Sequence, residues 1–84
     1  MYVFHADPAH AWLAVKRTEL ERLGILGEVS SCSYQKGGTV YLEEDCDAGL
    51  FIRAKKEKNE PYPTRESFQE NSPVRSYAHF SIGA

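Results

Sequence analysis

His5, Asp7 and His10 spell H-x-D-x-x-H, three side chains that all serve as Zn²⁺ ligands. A chain doubling back at Pro8 brings them around one ion, with His79 as a distant fourth ligand. The spacing matches no established zinc signature, and an Asp ahead of a Pro is a common maker of side-chain turns. The turn is the stronger reading, and no metal or other cofactor is expected. The run Glu43-Glu44-Asp45-Cys46-Asp47 invites a calcium reading. A calcium loop begun at Asp45 needs an oxygen ligand, a glycine and a glutamate at its fifth, sixth and twelfth positions. Those places hold Gly49, Leu50 and Lys56, so the motif fails. The carboxylates suit the start of a helix with Lys55, Lys56 and Lys58 near its end, each set against the pole of the helix dipole that favours it.

Cys46 sits where a helix N-terminus lowers a thiol pKa, but four neighbouring carboxylates disfavour the thiolate. The dipole contributes about 0.3–1 kcal/mol at an exposed site, less than the ~1.4 kcal/mol of one pKa unit. Cys46 therefore reads as a small core residue, as does Cys32, and a reducing compartment leaves both as free thiols. Late in the chain Arg65, Phe68, Arg75, Tyr77, His79 and Phe80 interleave basic and aromatic side chains, the pattern on which single-stranded nucleic acid stacks. The plainer account docks the aromatics on a sheet and turns the arginines to water. No phosphate-cradling glycine loop, G-x-S-x-G, C-x-x-C or H-E-x-x-H occurs, so no catalytic residue is assigned.

The elements that must position these groups follow from periodicity and punctuation. Tyr2-Val3-Phe4 reads as a strand stopped by Asp7-Pro8, and Trp12-Leu13-Ala14-Val15 as a second. Thr18 and Glu21 have capping-box spacing, and Gly24 suits the left-handed residue after a helix, predicting a two-turn helix that offers Leu20 and Leu23 to the core. Ser31 to Gln35 and Thr39 to Glu43 form a β-hairpin. A three-residue loop of Lys36, Gly37 and Gly38 would set Tyr34 opposite Val40 and Cys32 opposite Leu42, gathering all four on one apolar face. Asp45 or Asp47 caps a second helix, Cys46 to about Lys58, whose Cys46, Leu50, Phe51 and Ala54 face the sheet. Pro61 and Pro63 end it. Thr64 to Phe68 is a last strand, and Val74 to Ile82 is extended or irregular.

These elements predict a single α+β domain over 1–84: a small, mostly antiparallel sheet with a central β-hairpin, packed by two helices on one face. Ten basic and twelve acidic residues leave a net charge of −2, without the Lys and Arg excess usual in phosphate-binding proteins. No apolar run approaches the ~18 residues of a membrane span. The start lacks the basic and apolar segments of a secretory leader, so a cytoplasmic protein with no membrane partner is expected.

Three features between Trp12 and about Arg53 resemble short accessory proteins of bacteria, phages and plasmids. They are Trp12-Leu13 ahead of the Leu23-Gly24-Ile25 helix end, the Ser33-Tyr34-Gln35 strand, and Tyr41-Leu42-Glu43-Glu44-Asp45-Cys46-Asp47-Ala48. The resemblance implies a bacterial or mobile-element setting and transfers no catalytic or binding residue. The expected function is a non-enzymatic protein-binding module, an inhibitor or regulator carried by a mobile element, with a protein partner still to be identified. Its contact residues are Tyr41, Glu43, Glu44 and Asp47 at the acidic junction and Arg75 and Tyr77 in the late segment. The alternative is a small nucleic-acid-binding regulator using Arg53, Lys55, Lys56, Arg65 and Arg75. Monomer and homodimer both remain open, with Tyr62 to Phe68 as the candidate free edge and Pro63 making it a poorer acceptor of another strand.

Overall fold

The computed structural model describes residues 1–83. Strands β1 (Tyr2–Ala6) and β2 (Ala11–Lys16) form an antiparallel pair. They are joined where the Asp7 carboxylate accepts the amides of Ala9 and His10, both at 2.9 Å. That is the side-chain turn expected ahead of Pro8. β2 runs directly into helix α1 (Arg17–Arg22). β3 (Tyr34–Lys36) and β4 (Thr39–Glu43) make the hairpin, and helix α2 (Ala48–Glu57) follows. β5 (Thr64–Phe68) and the two-residue β6 (Ala78–His79) complete a six-stranded sheet in the order β5-β1-β2-β4-β3-β6. The sheet is mixed, because β5 lies parallel to β1 while the other pairings are antiparallel.

Alternation along the strands decides which side chains enter the core. The pairing of Leu13 with Leu42 and of Val15 with Val40 puts all four on one face, each at most 2% exposed. Leu20 of α1 and Ala48, Phe51 and Ala54 of α2 join this cluster, closed by Leu23, Ile25, Val29 and Phe80. Full burial of a Leu or Phe contributes roughly 1.5–3 kcal/mol, so this cluster carries the short elements that propensity alone does not.

Several local expectations are corrected. The Thr18–Glu21 capping box does not form: α1 starts at Arg17, and no side chain caps it. The Arg17 amide instead donates to the Gly38 carbonyl at 2.8 Å, so the neighbouring hairpin loop does the work of a cap. Gly24 does take the left-handed conformation after the helix, at φ 74°.

The hairpin loop is two residues long, not three, since Lys36 pairs with Thr39 and Tyr34 with Tyr41. Gly37 has φ 59° and Gly38 has no positive φ, as a type II′ turn requires. This register turns Tyr34 and Tyr41 together away from the core and buries Ser33 completely. Polarity alone argued against that register, yet Ser33 is satisfied inside: its hydroxyl donates to Asp47 at 2.5 Å and accepts the Glu43 amide at 3.0 Å. Cys32 and Cys46 are both exposed rather than core residues. Cys46 precedes α2 in a turn, and the buried face of α2 takes Lys55 in addition to Phe51 and Ala54.

Candidate functional site

The outer sheet face, turned away from the hydrophobic core, holds two sets of rings, one around Tyr41 and one around Tyr34. Tyr41 lies 5.7 Å from His5 and 5.1 Å from Tyr77, and Tyr34 lies 6.0 Å from Trp12 and 4.6 Å from His79, on which it stacks. Because β5 and β6 occupy opposite edges of the sheet, the chain between them must cross it. Its crossing segment comes over the outer face. The Arg75 guanidinium lies 5.4 Å from the Trp12 ring centre, Tyr77 meets Tyr41, and Lys36 Nζ sits 4.8 Å from the Tyr77 ring. Val74, in the 3-10 turn Pro73–Ser76, is buried at 2% exposure, as is Trp12.

Arg75 latches this strap to the β1–β2 turn. Its Nε and Nη2 both donate to Asp7, the latter at 3.1 Å. The Arg75 hydrogen bonds hold the Asp7 carboxyl well below the usual carboxylate range, outweighing burial, and the amides of His10 and Ala9 add to the effect. Asp7 is thus committed to the latch and the turn. His10 Nδ1 lies 3.3 Å from Glu43, His5 packs on Tyr41, and His79 Nδ1 lies 2.8 Å from the Ser31 carbonyl. Burial, and after it the Arg65 charge, lowers the His5 pKa. Among the described residues these groups do not gather as a metal-ligand set.

The acidic junction divides in two. Glu43, 7% exposed, accepts the amides of Asp45 and Cys46 at 2.7 and 2.9 Å, holding the turn before α2. Asp47, 3% exposed, accepts from Ser30 N, Ser30 Oγ and Ser33 Oγ. Both are therefore buried, while Glu44 and Asp45 stay exposed. The oxygens of Glu43, Glu44 and Asp45 lie within 4.8 Å of one another, but the buried member is already satisfied by backbone.

The five cations of the nucleic-acid reading do not form one surface. Lys55, 5% exposed, is enclosed by Glu19 and Glu60 at 2.7 and 3.0 Å. Glu60 also receives both Nη atoms of Arg22, which with Lys55 depresses its carboxyl to about 2. Arg75 is held by Asp7. Arg53 and Lys56 are exposed on α2, whereas Arg65 is exposed on β5. Strand alternation puts Arg65 on the outer face, paired across from Val3. Lys16 and Lys36 share that face, and among the described residues none of these last three is in an ion pair. Sequence reasoning missed Lys16, Lys36, His5, Trp12 and Tyr34 as neighbours. The odd–even pattern of the strands contains them once the two-residue loop fixes the register.

A hollow of about 480 Å³ is an open groove beside α1 lined by Tyr2, Lys16, Thr18, Glu19, Arg22 and Lys55. Most of its charges are compensated within the network just described. A smaller one of about 100 Å³ lies between the strap and the sheet, lined by His10, Trp12, Cys32, Tyr34, Glu43 and Arg75. Trp12 Nε1 is buried with no hydrogen-bond partner among the described residues, a donor whose desolvation is uncompensated within the chain.

Fold and face together define a small α+β sheet domain with one aromatic, cation-bearing surface. No family model matches the chain, and neither a curated protein nor a solved structure matches it.

Proposed function

We propose that this protein is a non-enzymatic binding module whose outer sheet face receives an acidic, extended segment of a partner protein. The observation that carries the reading is the convergence of Tyr41 with Tyr77, 5.1 Å apart, where the sequence had placed them in separate patches. Arg75 anchors the same surface. Lys16, Lys36 and Arg65 surround these rings, while Glu43, the carboxylate from β4 on this side, is engaged with backbone amides. Aromatic and arginine side chains anchor interfaces, and unpaired cations steer acidic partners toward them. The strap that crosses the outer face contributes Arg75 and Tyr77 to this surface. The acidic junction, read from the sequence as a contact surface, retains Glu44 and Asp45 as exposed carboxylates. Glu43 and Asp47 hold the fold instead.

The groups able to do chemistry are largely spent on structure: Asp7 on Arg75, Asp47 on two serines, Lys55 on two glutamates. That supports a binding role over an enzymatic one. The resemblance to bacterial, phage and plasmid accessory proteins makes inhibition or regulation of a cytoplasmic target the purpose such binding serves. A second reading, single-stranded nucleic acid, is favoured by the cations beside aromatic rings. It is weakened by the rings themselves, since Tyr34 is stacked on His79 and Tyr41 lies between His5 and Tyr77.

The test is affinity capture from a bacterial lysate, with and without nuclease, using the native chain and a Lys36→Glu/Arg65→Glu variant. A stoichiometric protein captured equally in both nuclease arms and lost by the variant is the expected result. Capture that disappears with nuclease establishes the nucleic-acid reading. Protein capture indifferent to the charge reversal removes this face.

A further inference from the structure

We propose that Cys32 and Cys46 form a reversible dithiol–disulfide site, closed by exchange with a small-molecule disulfide such as glutathione disulfide and reopened by thiols. The hairpin register supplies the geometry. Cys32 lies in the turn ahead of β3 and Cys46 in the turn after β4, so the two flank the same end of the hairpin. The Glu43 carbonyl accepts the amides of Cys46 and Asp47 at 3.2 and 2.9 Å, so the chain folds back there and returns Cys46 toward Cys32. The flanking residues clamp the two loops together. Asp47 receives the hydroxyls of both Ser33 and Ser30, and Ser30 Oγ in turn accepts the Cys32 amide at 3.2 Å. Both thiols are exposed, which gives an oxidant access.

A hydrogen bond with Cys32 is the foremost cause pushing the Cys46 thiol up to about 12, ahead of burial and the Glu43 carboxylate. Cys46 is therefore held protonated and Cys32 is the attacking group. The Cys32 thiolate attacks one sulfur of the small disulfide and expels a thiolate, leaving a mixed disulfide. Cys46 then gives up its proton and attacks the Cys32 sulfur, expelling the second thiolate. The protein loses two S–H bonds and gains one S–S bond. The small disulfide is reduced to two thiols, which carry away both protons.

Cys32 lines the hollow with Trp12, Tyr34 and Arg75, so closure fixes one rim of the outer face. The consequence for binding rests on the function proposed above; the disulfide itself does not. The test equilibrates the full chain in glutathione buffers of graded ratio, traps free thiols by alkylation, and reads intact mass and linked peptides. The expected oxidised product is a monomer lacking two hydrogens, with the Cys32 and Cys46 peptides joined and no glutathione retained. Cys32→Ser and Cys46→Ser should each stop at a mixed disulfide that dithiothreitol reverses. Glutathione held on both cysteines without a cross-link, an intermolecular disulfide, or two thiols still alkylated at the most oxidising ratio would each overturn the proposal. Cross-linked protein that captures its partner as the reduced form does would remove the coupling to binding while leaving the site.

Discussion

Asp47 shows how much one carboxylate can hold. It accepts from Ser30 N, Ser30 Oγ and Ser33 Oγ while only 3% exposed. Asp47→Ala strands these donors in a buried site, and such donors cost about 1–3 kcal/mol each when unsatisfied. A loss of about 3 kcal/mol is expected in urea unfolding, with Glu44→Ala, at an exposed site, within about 0.5 kcal/mol of the native chain. Glu60 adds a pH dependence. Its carboxyl is depressed from 4.5 to about 2 by Arg22 and then Lys55, and that of Asp7 is lowered by Arg75. Between these limits the unfolded chain binds protons that the folded chain refuses, so stability contributed by the pairs is fully present above about 4.5 and is lost as the pH falls toward 2. The melting temperature should be level from neutrality to about pH 5 and then drop. Lys55→Met and Arg22→Ala together should make that drop shallower. A slope unchanged in the double variant would place the acid sensitivity elsewhere.

At the scale of elements, the hairpin separates what local sequence specifies from what it leaves to the fold. The glycine pair and the flanking strands were legible, as were the Pro8 turn, the Gly24 helix end, and Phe51 and Ala54 facing the sheet, whereas α2 ends at Glu57 with Asn59 at φ 55°, ahead of the prolines. The register was not legible, because it depends on a partner outside the hairpin. Burying Ser33 is unfavourable until Asp47, from the turn after β4, accepts its hydroxyl. The parallel placement of β5 beside β1 was hidden for a similar reason, since Tyr2 pairs with Thr64, far away in the sequence. A direct check is available in the loop. Gly37 has φ 59° and Gly38 does not share it, and nothing lies within 4 Å of a Cβ added at either. Gly37→Ala should therefore cost about 1 kcal/mol through backbone strain alone, and Gly38→Ala clearly less. Equal costs at the two positions would contradict the two-residue loop.

The whole molecule is organised by a chain that leaves one sheet edge at β5 and returns at the other as β6. That route lays the strap over the outer face and buries Trp12, the single tryptophan of the chain, to 2% exposure. The latch is local, Arg75 on Asp7, whereas the hydrophobic core under the helices contains neither residue. Strap and core should therefore be separable. Arg75→Ala leaves Asp7 with only its turn amides and removes the cation above the Trp12 ring. The expected result is a red-shifted tryptophan emission and at least about tenfold faster amide exchange at residues 73–77, a change worth ~1.4 kcal/mol of local opening. Exchange in β2 and β4 should stay slow, because Leu13, Val15, Val40 and Leu42 keep their partners across the sheet. If emission and strap exchange are unchanged, Val74 and Tyr77 alone hold the strap and the Asp7–Arg75 pair is incidental to it. If β2 and β4 loosen together with the strap, the two are one cooperative unit. Arg75→Ala would then report on the whole fold, and its effect on capture would say nothing about the binding face.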